Sequence, residues 1–297
     1  MFKQNKQKPW RVSNTDMYIE LGTVVLVILL VFLFALGICW VNHSPKMQNV
    51  WSGFPLGITG IASAFCEKTK LSNPVRQPVN SFSSVVYLIV AIIILKDRQF
   101  YSNTSSNVAI RLYQLLFGVI LLYIFVTSFF YHASLIRLAR KLDYSGVFAF
   151  SLFPILYFSH RWRLVYKSKK RPNKKIRLYD HILLVFLSIC VLLSLFIPHG
   201  LENKIVFLII LVLFILAFAA EKLSVANTNR MYLMKSGFSV FMALFWFEFD
   251  KYKPLCNPDS YFQPHSLWNL FIGIAAFHFY LYIRSEKEPI TYSINLI

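Results

Sequence analysis

Eight stretches of 17 to 24 mostly apolar residues run through this 297-residue chain, and they constrain its fold more than any other feature. A helix that crosses a membrane needs about 20 such residues, because lipid offers the backbone no hydrogen-bond partner. The stretches are about Met17–Trp40, Pro78–Leu95, Val108–Tyr131, Leu142–Phe158, Tyr179–Ile197, Lys204–Ala220, Met231–Phe247 and His265–Ile283. The most continuous run is Thr23-Val-Val-Leu-Val-Ile-Leu-Leu-Val-Phe-Leu-Phe34. Only Pro198–Asn203 separates the fifth stretch from the sixth, which predicts an antiparallel helical hairpin there. Composition agrees with an all-α membrane protein: 57% of the residues are apolar, 29 are Phe, and only 15% are charged. Soluble domains carry roughly 45–50% apolar and about 25% charged residues. A soluble enzyme, a disordered chain and a small disulfide scaffold are therefore excluded. No long internal repeat is visible.

The net charge of +18 needs a separate account. In a soluble protein it would suggest a nucleic-acid partner. Here thirteen of the 31 basic residues fall in two places, the N-terminal tail (Lys3, Lys6, Lys8, Arg11) and the segment Arg161–Arg177. Cytoplasmic segments of membrane proteins collect Lys and Arg. With eight spans, tail, basic segment and C-terminus share one side, and with one span fewer, tail and segment conflict. The charge is thus read as topology, with both termini cytoplasmic and no nucleic acid implied. The first stretch follows a basic approach as a signal peptide would. Its apolar core is too long for one, and no cleavage pattern clearly follows. The opposite side receives Val41–Gln77, the turn after Tyr131, and Glu248–Pro264. That turn carries Arg137, Arg140 and Lys141, an exception to the charge rule.

Ionisable groups in membrane spans are costly and usually functional. Ser128 and His132 lie four apart, on one helix face, where the third span ends. Asp143 follows eleven residues later, where the fourth span begins. His265 opens the eighth span, with Asn269 one turn below it on the same face. These residues share a depth, and they converge only if the three spans are neighbours. Each has a plain structural reading: an interfacial His, a Ser bonded to its own helix, an Asp paired with Arg140. As a group they match what a zinc hydrolase uses. Imidazole suits zinc, and a carboxylate can take the proton of an activated water. His278 lies thirteen residues past His265, about 20 Å along a helix, and is read as structural. Cys39 and Cys190 sit in spans. Cys66 and Cys256 sit in the two larger outer segments, where position permits a disulfide without requiring one.

Three blocks of the chain resemble the alkaline ceramidases. Ser128-Phe-Phe-Tyr-His132-Ala-Ser-Leu, with Asp143 eleven residues after the His, is similar to that family's Ser-x-x-Phe-His-Ala-Thr-Leu and its following Asp. Cys256-Asn-Pro-Asp-Ser-Tyr-Phe-Gln-Pro-His265-Ser-Leu-Trp268-Asn269 resembles Cys-x-Pro-x-Ser…His-x-x-Trp-His. Phe65-Cys66-Glu67, then Gln77-Pro-Val-Asn80-Ser-Phe-Ser83, resembles Trp-Cys-Glu and Glu-x-x-Asn-Thr-x-Ser. The blocks follow the family order and cover roughly Trp51–Arg284, or seven spans. The wider superfamily of that family includes the adiponectin receptors.

The resemblance implies a ceramidase-type bundle of seven transmembrane helices over residues 42–285. A basic tail (1–16) and an additional N-terminal transmembrane helix (17–41) precede it, and a C-terminal tail (286–297) follows. It implies hydrolysis of the amide of ceramide, or of a related N-acyl lipid, on the side away from the cytoplasm. His132 and His265 match two zinc ligands. Asp143 matches the acid that orients or deprotonates the water, and Ser128 the serine that positions water or oxyanion. Cys66 and Cys256 match a family disulfide. The third zinc-ligand His is replaced by Asn269, which leaves three arrangements open: Asp143 joins the ligand set, Asn269 binds weakly or through water, or the metal and the enzyme activity are lost. A catalytically degenerate lipid-binding or receptor-like protein is the alternative to a hydrolase. A transporter or channel is disfavoured, since no inverted repeat or charged pathway is present. Of the family's acidic calcium ligands only Glu67 has a counterpart in Ala64-Phe-Cys-Glu-Lys-Thr69, with Gln77 at a later acidic position, so no calcium is expected.

Overall fold

The computed structural model describes residues 44–57, 65–101, 108–168, 228–254 and 256–285, with isolated helical positions between 185 and 219. The expected first span, the greater part of the fifth and sixth spans, and the C-terminal tail lie outside the described residues. Contacts divide the chain into Met1–Lys46 and Met47–Ile297, and everything that follows belongs to the second unit.

Six α-helices make up the described bundle: α1 Pro78–Ser83, α2 Val85–Tyr101, α3 Val108–Ser134, α4 Arg137–Ser168, α5 Arg230–Tyr252 and α6 Pro264–Arg284. Among the described residues there is no strand, only one isolated bridge between Leu56 and Ile136. Among the described residues four helical segments are long and apolar enough to cross a membrane: Pro78–Asp97, Tyr113–Ser134, Arg137–Ser159 and Pro264–Arg284. They coincide with the second, third, fourth and eighth apolar stretches of the sequence. α5 coincides with the seventh.

Both boundaries of the fourth span differ from the sequence reading. The fourth span begins at Arg137 and not at Leu142, so Arg137, Arg140 and Lys141 belong to the first turns of α4 and not to a connecting turn. The connection is only Leu135 and Ile136. Its brevity is possible because Leu135 takes a left-handed conformation, φ 52°, which ends α3 as glycine more often does. The Leu135 side chain is buried with Tyr131, Ile136 and Ala139, which offsets the steric cost of that φ, about 1–2 kcal/mol. At its other end α4 runs to Ser168, so the start of the basic segment at Arg161 is helix. Arg and Lys are good helix formers once the apolar span is complete.

The bundle is held along three seams. α2 packs on α3, α3 on α4, and α5 on α6. The α3–α4–α6 junction is aromatic: Phe117 and Phe153 stack at 4.5 Å, with Phe279 edge-on to both at 5.9 and 6.2 Å. Close approach elsewhere needs small residues. A Cβ added at Gly146 of α4 would lie 3.0 Å from Thr127 Oγ1 of α3, and one at Gly273 of α6 would collide with Val86 of α2. Asp97 of α2 pairs with Arg284 of α6 at 3.2 Å, away from the end that carries the polar residues described next.

Candidate functional site

The site is assembled at the end of the bundle where α3 stops and α6 starts. Helix ends leave backbone groups without partners, and here a crossing segment supplies them. The Arg76 N–H donates to Ala133 O at 2.9 Å, the Gln77 N–H to His132 O at 3.2 Å, and Arg76 Nη1 to Ser134 O at 2.7 Å. The same segment is pinned further back. Glu67 accepts from the N–H groups of Val79 and Asn80 at the N-terminus of α1, both at 2.8 Å. Burial pushes the Glu67 carboxyl up to about 7 despite those two donors. Cys66 and Cys256 are joined by a disulfide. Lys68 adds a backbone bond to Pro258 O at 3.0 Å and an exposed pair with Asp259 at 3.4 Å. This ties residues 65–77 to the loop that leads into α6.

Two imidazoles meet beneath this strap. The His132 and His265 ring centroids are 4.6 Å apart, and the Phe65 ring stands edge-on to both at 5.0 and 4.8 Å. Each ring has a neighbour at Nδ1. Gln77 Nε2 donates to Thr69 Oγ1 at 3.3 Å, which leaves Gln77 Oε1 to accept from the Nδ1–H of His132 at 3.0 Å. That assignment keeps the lone pair of His132 on Nε2. On the other ring, Asp250 Oδ2 faces His265 Nδ1 at 3.7 Å. The second oxygen of Asp250 accepts from the Cys66 N–H at 2.9 Å.

The remaining residues line one cavity of about 260 Å³ beside these rings. Ser128, Asp143, His265 and Asn269 all face it, as do Asp250, Arg140 and the aromatic side chains Phe65, Tyr87, Tyr131 and Trp268. The Ser128 hydroxyl lies beside the Asp143 carboxyl, with the Arg140 charge nearby. Arg140 is itself anchored: Nη1 donates to Gly57 O at 2.8 Å, and the guanidinium lies over the Tyr144 ring. Both polar side-chain atoms of Asn269 are hydrogen-bonded. Its Oδ1 accepts from the Tyr87 hydroxyl at 2.9 Å, and its Nδ2 donates to Ser83 Oγ at 2.8 Å.

Ser128, His132, Asp143, His265 and Asn269 are therefore brought together from α3, α4 and α6. His278 lies apart, bonded to Ile274 O of its own helix at 3.0 Å. Asp250 and Tyr87 take part without having been singled out from the sequence, and Gln77, read there only as the counterpart of an acidic position, takes part as the partner of His132. Asp250 had a readable signal, an acid just past the seventh span on the side of the other polar residues. Tyr87 had none, because a lone phenol beside an apolar run is common.

Neither comparison names a family. No protein-family model matches the chain, and no curated protein matches it.

As donors, the two imidazoles fit zinc: they are adjacent, and His132 is held in the tautomer that leaves Nε2 available. A third protein donor is not gathered. Among the described residues no three His, Cys, Asp or Glu side chains come together at metal-ligand spacing. The amide oxygen of Asn269 already receives the Tyr87 hydroxyl.

Proposed function

We propose that this protein is a membrane-embedded amide hydrolase of alkaline ceramidase type, cleaving ceramide or a related N-acyl lipid to a fatty acid and an amine base. The observation that carries the reading is the meeting of His265, Ser128 and Asp143 at one aromatic-lined cavity, with the buried His132 ring packed against His265. In this reading the chain is a seven-helix bundle with one added N-terminal helix, and the site opens away from the basic, cytoplasmic face.

The chain's own residues account for much of the chemistry. Phe65, Tyr87, Tyr131 and Trp268 take up an acyl chain and exclude water from the amide. Asp143, oriented by Ser128, accepts a proton from the attacking water and returns it to the amine nitrogen as the C–N bond breaks. Water adds to the carbonyl carbon, and the products are a carboxylic acid and an amine. His132 and His265 would hold zinc, with Asp143 or Asn269 as the third donor that the resemblance leaves open. Zinc bound there would polarise the carbonyl and activate water. Placing these groups where little water reaches them strengthens each interaction.

Zinc content and fatty-acid release should be measured on purified protein across N-acyl lipids. Bound zinc, with release abolished by His132→Ala, is expected. Absence of both zinc and release sinks the proposal.

A second reading rests on the bonds that Asn269 makes to Tyr87 and Ser83. With no third imidazole, the scaffold would bind lipid without cleaving it. Asn269→His separates the two. Zinc binding and hydrolysis that appear only in the variant favour the binding protein, and hydrolysis already present in the parent removes it.

A further inference from the structure

We infer that Asp250 is a positioning residue for His265, locked in place by the backbone of the disulfide-bonded Cys66, so that the imidazole keeps its proton on Nδ1 and leaves the lone pair on Nε2. Three observations converge on this. Asp250 is a buried carboxylate at the end of α5, and burial of a charge calls for partners. One oxygen is fixed by the Cys66 N–H at 2.9 Å, which turns the other towards His265. His265 Nδ1 is itself buried and has no hydrogen-bond partner among the described residues, with Asp250 Oδ2 at 3.7 Å. Contacts of this kind are often long before a ligand is bound and shorten in the working complex.

The arrangement parallels the one on the neighbouring ring, where Gln77 holds His132. One imidazole is set by an amide and the other by a carboxylate; Gln77 belongs to the strap at 65–77 that the disulfide ties down, and Asp250 of α5 is held by that strap through the Cys66 N–H. A carboxylate at Nδ1 raises the basicity of Nε2 more than an amide does. Phe65, next to Cys66, fixes the His265 ring from the side at 4.8 Å. The disulfide thereby acts on the site as well as on the fold: Cys66 carries the N–H that orients Asp250, and Phe65 precedes it in the chain.

The consequence for metal binding rests on the hydrolase reading, whereas the tautomer of His265 does not. The test is nitrogen-15 NMR of histidine-labelled full-length protein in detergent, without added metal, with His265→Gln used to assign the signal. The parent should show His265 protonated at Nδ1. Asp250→Ala should move the ring towards the Nε2–H form, and Asp250→Glu should bring it back. Asp250→Asn, which keeps the shape and an acceptor for Cys66, serves if the alanine variant does not fold. Glu248→Gln, an exposed acid two residues away, should change nothing. In a chelator competition, Asp250→Ala should weaken zinc binding by about 10–100-fold. A parent ring protonated at Nε2, or a folded Asp250→Ala protein with an unchanged tautomer, overturns the inference. If the tautomer pattern holds and the parent binds no zinc, the inference stands and the hydrolase reading fails.

Discussion

Asn269 ties three helices together at the centre of the site. An imidazole at this position would add a lone pair to the pair of rings already present. The amide instead spends its oxygen on Tyr87 and its nitrogen on Ser83, closing a buried network between α1, α2 and α6. Glu67 makes a comparable trade at the edge of the site. It caps α1 with two backbone bonds but does so in a buried place, and its carboxyl titrates at about 7. The folded-state value lies above the ordinary one, so the stability from this group is fully present below the unfolded value and is lost as pH rises through the folded one. Melting temperature in detergent should therefore fall as pH is raised from about 5 to 8, with a loss of about 3 kcal/mol at the upper end. Glu67→Gln should flatten that slope. A slope unchanged by the substitution would remove Glu67 as its source.

At the scale of elements, the site depends on how closely α6 approaches α2. Gly273 lies against Val86, and no side chain fits between them. Forcing extra atoms into a packed contact costs about 1–3 kcal/mol. Gly273→Ala is expected to lower thermal stability by that order, and Val86→Ala combined with it should recover most of the loss, since residues in contact couple. Equal melting of parent and Gly273→Ala would show that the seam is looser than described. The same seam places Asn269 one turn from His265 and across from Tyr87, so a shift of α6 moves both the network and the imidazole. The strap at 65–77 is the other controlling element. It caps α3 through Arg76 and Gln77 and reaches α5 through Cys66 and Asp250.

Across the whole molecule, charge and chemistry are expected on opposite sides. With eight spans, the basic residues near 169–177 face the cytoplasm and the Asp259 loop faces away. Single cysteines placed at Lys170 and at Asp259, in protein whose other unpaired cysteines are removed, should label from opposite faces of sealed vesicles. Labelling of both from one face would end the eight-span reading. For the second, third, fourth and eighth stretches the sequence by itself determined where helices long enough for lipid form, because desolvation acts residue by residue along a run and needs no knowledge of neighbours. It also placed His132 near the end of α3 and His265 at the start of α6, whereas Asp143, expected to open its span, lies in the second turn of α4 because that helix begins at Arg137. Tertiary structure alone decided which neighbours those residues have. Gln77 reaches His132 across 55 residues, Asp250 meets Cys66 across 184, and Tyr87 takes Asn269 across 182. Spacing along a chain carries no information about such pairs. They exist because buried polar groups must find partners once packing has excluded water, and only the packed bundle defines which partners are within reach.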